Sequence, residues 1–247
     1  MKILVTGLSG LIGTALRDSL GADHELTAFN RSEVSGVKSV RADLSDTEAL
    51  KRAVAGQEIV IHLAAKAGEH YSWEELRDTN IEGTRNVFAA ATAAGVPRVV
   101  FASSGATVAG HEFDEPYKAL VEGRYSDVPD QWPLIDVHAP TRPRGVYGST
   151  KVWGEALARH FSDQTTTQFT NIRIGYVNAQ DKPEGPRQQS VWCSQRDAVS
   201  AITLASFQAL SSEYAVFFAN SDNRYGYRDL SHGKTLLGFV PQDGAGR

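Results

Sequence analysis

A single cysteine, Cys193, and a single methionine, Met1, stand in 247 residues. One thiol excludes an intrachain disulfide and a thiolate metal cluster. No run of basic residues occurs and the net charge is −4, so the charge pattern invites neither nucleic acid nor an anionic membrane surface. No apolar stretch approaches the roughly 20 residues that a membrane span needs. The segment Met1-Lys2-Ile3-Leu4-Val5 reads as a folded strand and not as the start of a cleavable signal. The seven histidines show no HxH or HxxxH spacing, so no metal site is expected. These absences leave a soluble, cytoplasmic, metal-free protein whose partner is a small molecule, with homo-oligomerisation open.

What is present is 41% apolar content, enough for one well-buried core in a single domain spanning 1–247. Strand-like runs alternate with helical ones, the pattern of a parallel sheet flanked by helices. Strands are expected at Ile3–Val5, Leu26–Phe29, Val37–Arg41, Ile59–Leu63, Val99–Ser103, Phe169–Ile174 and Tyr214–Ala219. Helices are expected near Leu11–Leu20, Asn80–Ala94, Gly148–Phe161, Arg196–Leu210 and Asp229–Leu237. A capping box of Ser45 and Glu48 opens one more helix, and Gly56 lies just past its end. Five of the nine prolines fall between Gly110 and Gly145, where short helices or a lid are expected. The fold class is α/β, a doubly wound parallel sheet of about seven strands with a short C-terminal substrate lobe. The substrate-facing segments are approximately 110–146 and 176–247.

The first strand runs into glycines at Gly7, Gly10 and Gly13. In a strand–turn–helix of this kind one glycine permits the tight turn, one lets backbone approach a pyrophosphate, and one lets helix and strand pack closely. The free amides and positive end of the helix then meet the phosphates. Gly7, Ser9, Gly10, Leu11, Ile12 and Gly13 are therefore expected to bind a dinucleotide. An acidic residue at the end of the second strand would hold the ribose 2′-hydroxyl of NAD, but Asn30 and Arg31 stand there. Loss of the carboxylate and gain of a cation favour NADP over NAD, with dual use open.

Much later comes Tyr147-Gly148-Ser149-Thr150-Lys151. Tyr147 and Lys151 are spaced i, i+4 and share one helix face. A free phenol, with a pKa near 10, is a poor base at neutral pH. An ammonium beside it stabilises the phenolate and makes it a usable proton acceptor. Lys151 can also hold the nicotinamide ribose.

The glycine turn followed by this pair resembles the short-chain dehydrogenase/reductase superfamily along most of the chain, and within it the extended epimerase/dehydratase group. That resemblance implies further roles. Asp43 and Leu44 would contact the adenine, and Leu63, Ala64 and Ala65 would pass under the cofactor. Asn80 would either support a proton relay or bond backbone at a helix distortion. Ser104 would be the catalytic hydroxyl, with Thr107 or Ser103 as alternatives. The closest patterns are those of uronate dehydrogenases and archaeal sugar-phosphate dehydrogenases, whose Ser-Ser is followed by Asn-His; here Gly105 and Ala106 replace that polar pair. Gly105 is still placed at the substrate.

The segment Arg187-Gln-Gln-Ser190-Val-Trp192-Cys-Ser194 resembles the uronate dehydrogenase stretch in which an arginine grips the substrate carboxylate. Guanidinium suits two-point binding of carboxylate or phosphate, so Arg187 is expected at an anionic group. The resemblance thus implies an NAD(P)-dependent oxidoreductase acting on a small polar alcohol or carbonyl, a sugar, sugar acid or sugar phosphate. Ser104, Tyr147 and Lys151 would be its catalytic residues. Two alternatives stay open: an epimerase or dehydratase that recycles its cofactor, and a non-catalytic NADP-binding protein.

Overall fold

The structure, a computed structural model, describes residues 1–246. Seven strands form one sheet: β1 (Lys2–Thr6), β2 (Glu25–Asn30), β3 (Lys38–Arg41), β4 (Ile59–His62), β5 (Arg98–Ser104), β6 (Gln168–Ile174) and β7 (Tyr214–Ala219). All pairings are parallel and the order is β3-β2-β1-β4-β5-β6-β7. The order reverses between β1 and β4, and it is outside the carboxyl ends of strands at such a point that open α/β sheets bind ligands.

Successive side chains of a strand point to opposite faces, and both faces here are covered, so the central strands are apolar throughout. Ile3, Val5, Ile59, Ile61, Val100 and Ala102 pack on one side, against helices α1 (Leu11–Leu20), α8 (Gln195–Phe207) and α9 (Ser231–Leu237). Leu4, Val60, Val99 and Phe101 pack on the other, against α2 (Thr47–Val54), α4 (Thr84–Ala93) and α6 (Val146–Gln164). A third, smaller cluster meets the sheet at Phe218 of β7. Val108, Ile135, Val191 and Tyr227 gather there with α5 (Tyr117–Glu122), beside α7 (Gly185–Val191).

Several expected boundaries move, each for a local reason. The N-cap of α2 is Asp46, which accepts from the Ala49 amide at 2.9 Å, and not Ser45. Asp43 takes the Ser45 amide at 3.0 Å, and this turn carries the helix start one residue on. The helix expected from Asn80 begins earlier, at α3 (Trp73–Leu76), with a capping box of Ser72 and Glu75. It then runs through a π-helical stretch, Arg77–Gly83, into α4. The Pro-rich stretch holds 3₁₀ turns at Gly105–Phe113 and Tyr125–Asp127 around α5. The substrate-facing stretch between β6 and α8 contains α7, opened by Pro186 in its first turn. No helix among the described residues is long and apolar enough to cross a membrane.

Candidate active site

The glycine loop lies at the end of β1, and steric limits explain its composition. Gly7 has φ +76°, and a Cβ there would lie 2.7 Å from the Ala64 amide nitrogen. A Cβ on Gly13 would lie 2.5 Å from the Gly7 carbonyl oxygen and 2.6 Å from that of Leu8. Any side chain at either position would force β1, α1 and the Leu63–Ala64 backbone apart. A cavity of about 600 Å³ opens over this loop, bordered by Ser9, Gly10, Arg31, Asp43, Leu44 and Ala65. Its floor of close-packed backbone at a helix N-terminus fits a dinucleotide pyrophosphate.

Asn30 is buried and spends its amide on the loop: Oδ1 accepts from the Leu8 amide at 3.1 Å, and Nδ2 donates to the Ser9 hydroxyl at 2.6 Å. Arg31 is exposed at the rim and joins no ion pair among the described residues. Asn80 does not border either cavity. Its Oδ1 accepts from the Lys66 amide at 2.8 Å, while Nδ2 donates to the Lys66 carbonyl at 3.1 Å and to the Thr150 hydroxyl at 3.2 Å. Of its two expected roles, backbone support at a helix distortion is the one these bonds describe.

A second cavity, of about 810 Å³, adjoins the first through Leu63 and Ala65. Ser104 enters it from the end of β5, and Tyr147 and Lys151 from the first turns of α6. Strand alternation separates the neighbouring serines. Ser103 points to the α6 side and donates to Glu155 at 2.5 Å, and Thr107 donates to the Ser104 carbonyl at 2.9 Å. Of the three candidates, Ser104 is the one whose hydroxyl acts on the Tyr147 phenol, and it also accepts from the Ala106 amide at 3.1 Å.

Burial pushes the Tyr147 phenol above its ordinary range; the Ser104 hydrogen bond pulls it back, and Glu69 pushes it further up. Glu69 also accepts from the Tyr147 amide at 3.3 Å, serving as the cap that Gly145 cannot supply at the start of α6. Lys151 is buried, its Nζ donating to the Ala102 carbonyl at 2.7 Å and lying 5.9 Å from the Tyr147 ring centre. Burial brings its ammonium down to about 7, and Glu155 works against that. In β4, His62 bonds Thr6 at 2.7 Å and Thr84 at 3.0 Å, and burial holds it neutral, with its pKa at about 3. It ties β1 to α4 behind the site.

The far wall of this cavity carries arginine. Arg187, on α7, donates from Nε and Nη2 to the two oxygens of Glu112, each at 2.8 Å. It thus reaches the pocket with one edge already committed. Glu112 is buried and also accepts from Tyr227 at 2.7 Å and from Arg144 at 3.1 Å. Burial raises its carboxyl, but Arg187 and Tyr227 hold it below the usual range. Arg228 closes the wall beside Gly105. In the segment after Arg187, Ser194 caps α8 through the Asp197 amide at 3.0 Å, and Ser190 and Trp192 are buried.

Sequence reasoning missed Glu69, Glu112, Arg144, Tyr227 and Arg228. None lies in a recognisable motif, and their partners are far off in the chain. The one available signal was Gly105, whose missing side chain makes room for Arg228.

A glycine-loop dinucleotide cleft beside a Tyr–Lys pair defines a Rossmann-fold protein of the nicotinamide-dependent class. Residues 3–193 match the model of the NAD dependent epimerase/dehydratase family, and the chain belongs to that family. It is 30% identical over 251 residues to an L-arabinose 1-dehydrogenase (NAD(P)(+)) of Haloferax volcanii, covering 98% of this chain and 96% of that one. It is 33% identical over 249 residues to a uronate dehydrogenase of Agrobacterium fabrum, covering 99% and 85%. A mutant uronate dehydrogenase from Agrobacterium tumefaciens, solved in complex with NAD, superposes with a TM-score of 0.80 at 31% identity, covering 99% of this chain and 85% of that one.

Proposed function

We propose that this chain is an NAD(P)-dependent dehydrogenase that oxidises a hydroxyl of a small sugar, sugar acid or sugar phosphate. The observation that carries the reading is the meeting of Ser104, Tyr147 and Lys151 in the cavity that adjoins the glycine-loop cleft. Bound in the glycine-loop cleft, the nicotinamide cofactor supplies the hydride-accepting chemistry. Ser104 holds the substrate oxygen by its hydroxyl, and Tyr147, as phenolate, takes the hydroxyl proton. Lys151 stabilises that phenolate and holds the nicotinamide ribose. A buried phenol alone would resist ionisation, so the Ser104 hydrogen bond and the Lys151 charge are what bring it into use.

NADP is the preferred cofactor in this proposal. Asn30 is tied inward and brings no negative charge to the rim, while Arg31 stands there with its charge unmatched. Cavity size supports a monosaccharide derivative, and the cationic wall supports an acidic one. The experiment is a screen of uronates, aldoses and sugar phosphates with NAD and NADP, reading reduced nicotinamide. Net reduction with one of these substrates is the expected result.

A further inference from the structure

Three arginines border the substrate cavity, and they are not equivalent. Arg187 and Arg144 share the buried carboxylate of Glu112. Arg228 has no such partner. It is only 6% exposed, and no ion pair among the described residues includes it. Its acceptors are neutral: the Gly105 carbonyl at 3.1 Å, Asn220 Oδ1 at 3.3 Å and the Tyr227 hydroxyl at 3.4 Å. Its Nε is buried with no acceptor among the described residues. Glu112 acts on the Arg228 guanidinium through space and across the Tyr227 hydroxyl, but does not touch it. A buried cation with no carboxylate bonded to it is a costly arrangement, and folded proteins pair such charges as a rule.

Gly105 explains how the guanidinium fits. A Cβ at that position would lie 2.1 Å from Arg228 Nη1 and 2.3 Å from Cζ. The guanidinium therefore fills the volume that a side chain at 105 would take, one residue from Ser104. Glycine clears the wall and arginine lines it with donors. Asn220 and the Gly105 carbonyl fix its orientation, so little freedom is lost when a ligand arrives.

We infer that Arg228 is a substrate-binding residue whose guanidinium receives an anionic oxygen group of the substrate, a carboxylate or a phosphate, in the wall beside Ser104. This deepens the dehydrogenase reading and rests on it for the identity of the pocket. Arg187 then holds the pocket's shape through Glu112, while Arg228 supplies a charge to which no carboxylate is bonded. Cationic complementarity of this kind discriminates against a neutral sugar of the same ring, which leaves the guanidinium buried and unpaired.

Calorimetric titration of the full chain with D-glucuronate, D-glucose 6-phosphate and D-glucose tests the assignment. At least one anion should bind about ten- to a hundredfold more tightly than glucose, the usual worth of a charge-assisted hydrogen bond. Whichever anion shows the larger margin identifies the carboxylate or the phosphate as the group bound. Arg228→Gln should reduce that margin to within about threefold, since it keeps a donor but loses the charge. If Arg228→Gln does not fold, Gly105→Ala takes its place, because the new Cβ must displace the guanidinium. A margin that survives in the folded variant, or a parent that binds all three sugars equally, overturns the assignment. Reduction of nicotinamide is read separately. A parent with the anion margin but no net reduction would sink the dehydrogenase reading and leave the Arg228 site standing.

Discussion

The two adjoining cavities are built from opposite materials. The cofactor cleft is made mainly of backbone and small residues that follow one another closely: Gly7, Gly10 and Gly13 on one turn, with Leu63–Ala65 across from it. Its fit comes from what is missing, the Cβ atoms. The substrate cavity carries long charged side chains from distant segments, Arg144, Arg187 and Arg228, the first two held from behind by the buried Glu112 and all beside the small cluster around Tyr227. A site made of omissions is stable to surface variation but intolerant of any added atom. A site made of paired charges changes specificity with a single substitution. The same sheet thus carries a fixed cofactor cleft and an adaptable substrate pocket.

Substitutions in and around each cavity separate these two kinds of construction, in descending order of effect. Beside Ser104 in the substrate cavity, Tyr147→Phe should lower kcat by about 10²–10⁴-fold, the usual worth of a positioned proton acceptor, with cofactor affinity within a few-fold of the parent. Steady-state rates and cofactor titration together check this; near-parental turnover would remove Tyr147 from the chemistry. In the cofactor cleft, Gly13→Val should weaken cofactor binding by at least about tenfold, because overpacking costs roughly 1–3 kcal/mol and the nearest atoms are backbone. Behind the substrate cavity, Glu112→Gln should destabilise the fold by about 1–3 kcal/mol by removing the buried charge opposite the partly exposed Arg187, yet leave cofactor affinity unchanged. Denaturant unfolding and cofactor titration would show whether the two cavities are independent in this way. At the rim, Arg31→Ala should weaken NADP by roughly tenfold and NAD hardly at all, as expected for one exposed charge-assisted contact.

A pH dependence follows from Lys151. Its folded-state pKa of about 7 lies below its ordinary value of 10.5. Between those values the unfolded chain holds the proton that the folded chain has lost, so this group's contribution to stability rises as pH increases from 7 toward 10.5. The parent should therefore gain stability relative to Lys151→Met over that window, measured by denaturant unfolding at several pH values. An equal pH response in both would show that Lys151 is not desolvated in the free protein.

The fold was almost fully legible because parallel strands buried on both faces read as uninterrupted apolar runs; Ile59–Ile61 and Val99–Ala102 are examples. Boundaries shifted where short-range side-chain bonds decided them, as Asp43 and Asp46 did at α2. The cofactor loop and the Tyr147–Lys151 pair were legible because each is local in sequence and its spacing is dictated by helix or turn geometry. Resemblance alone favours Ser104 over Ser103; the physical reason lies in the sheet, which sends alternate residues to opposite faces and turns Ser103 toward Glu155. The arginine wall was not legible. Glu112 meets Arg187 75 positions away, and Gly105 meets Arg228 123 positions away. Arg187 was noticed for its motif, but its pairing with Glu112 depends on a buried carboxylate in a 3₁₀ turn that no local pattern marks.

The central claim is that Ser104, Tyr147 and Lys151 carry out a net oxidation of a sugar substrate. The most direct measurement follows reduced nicotinamide and sugar product together in the parent and in Tyr147→Phe, across uronates, aldoses and sugar phosphates with both cofactors. The account predicts reduced cofactor and oxidised sugar in equal amounts from the parent, and neither from the variant. Conversion of a sugar to its epimer or dehydrated form without net reduced cofactor would contradict it.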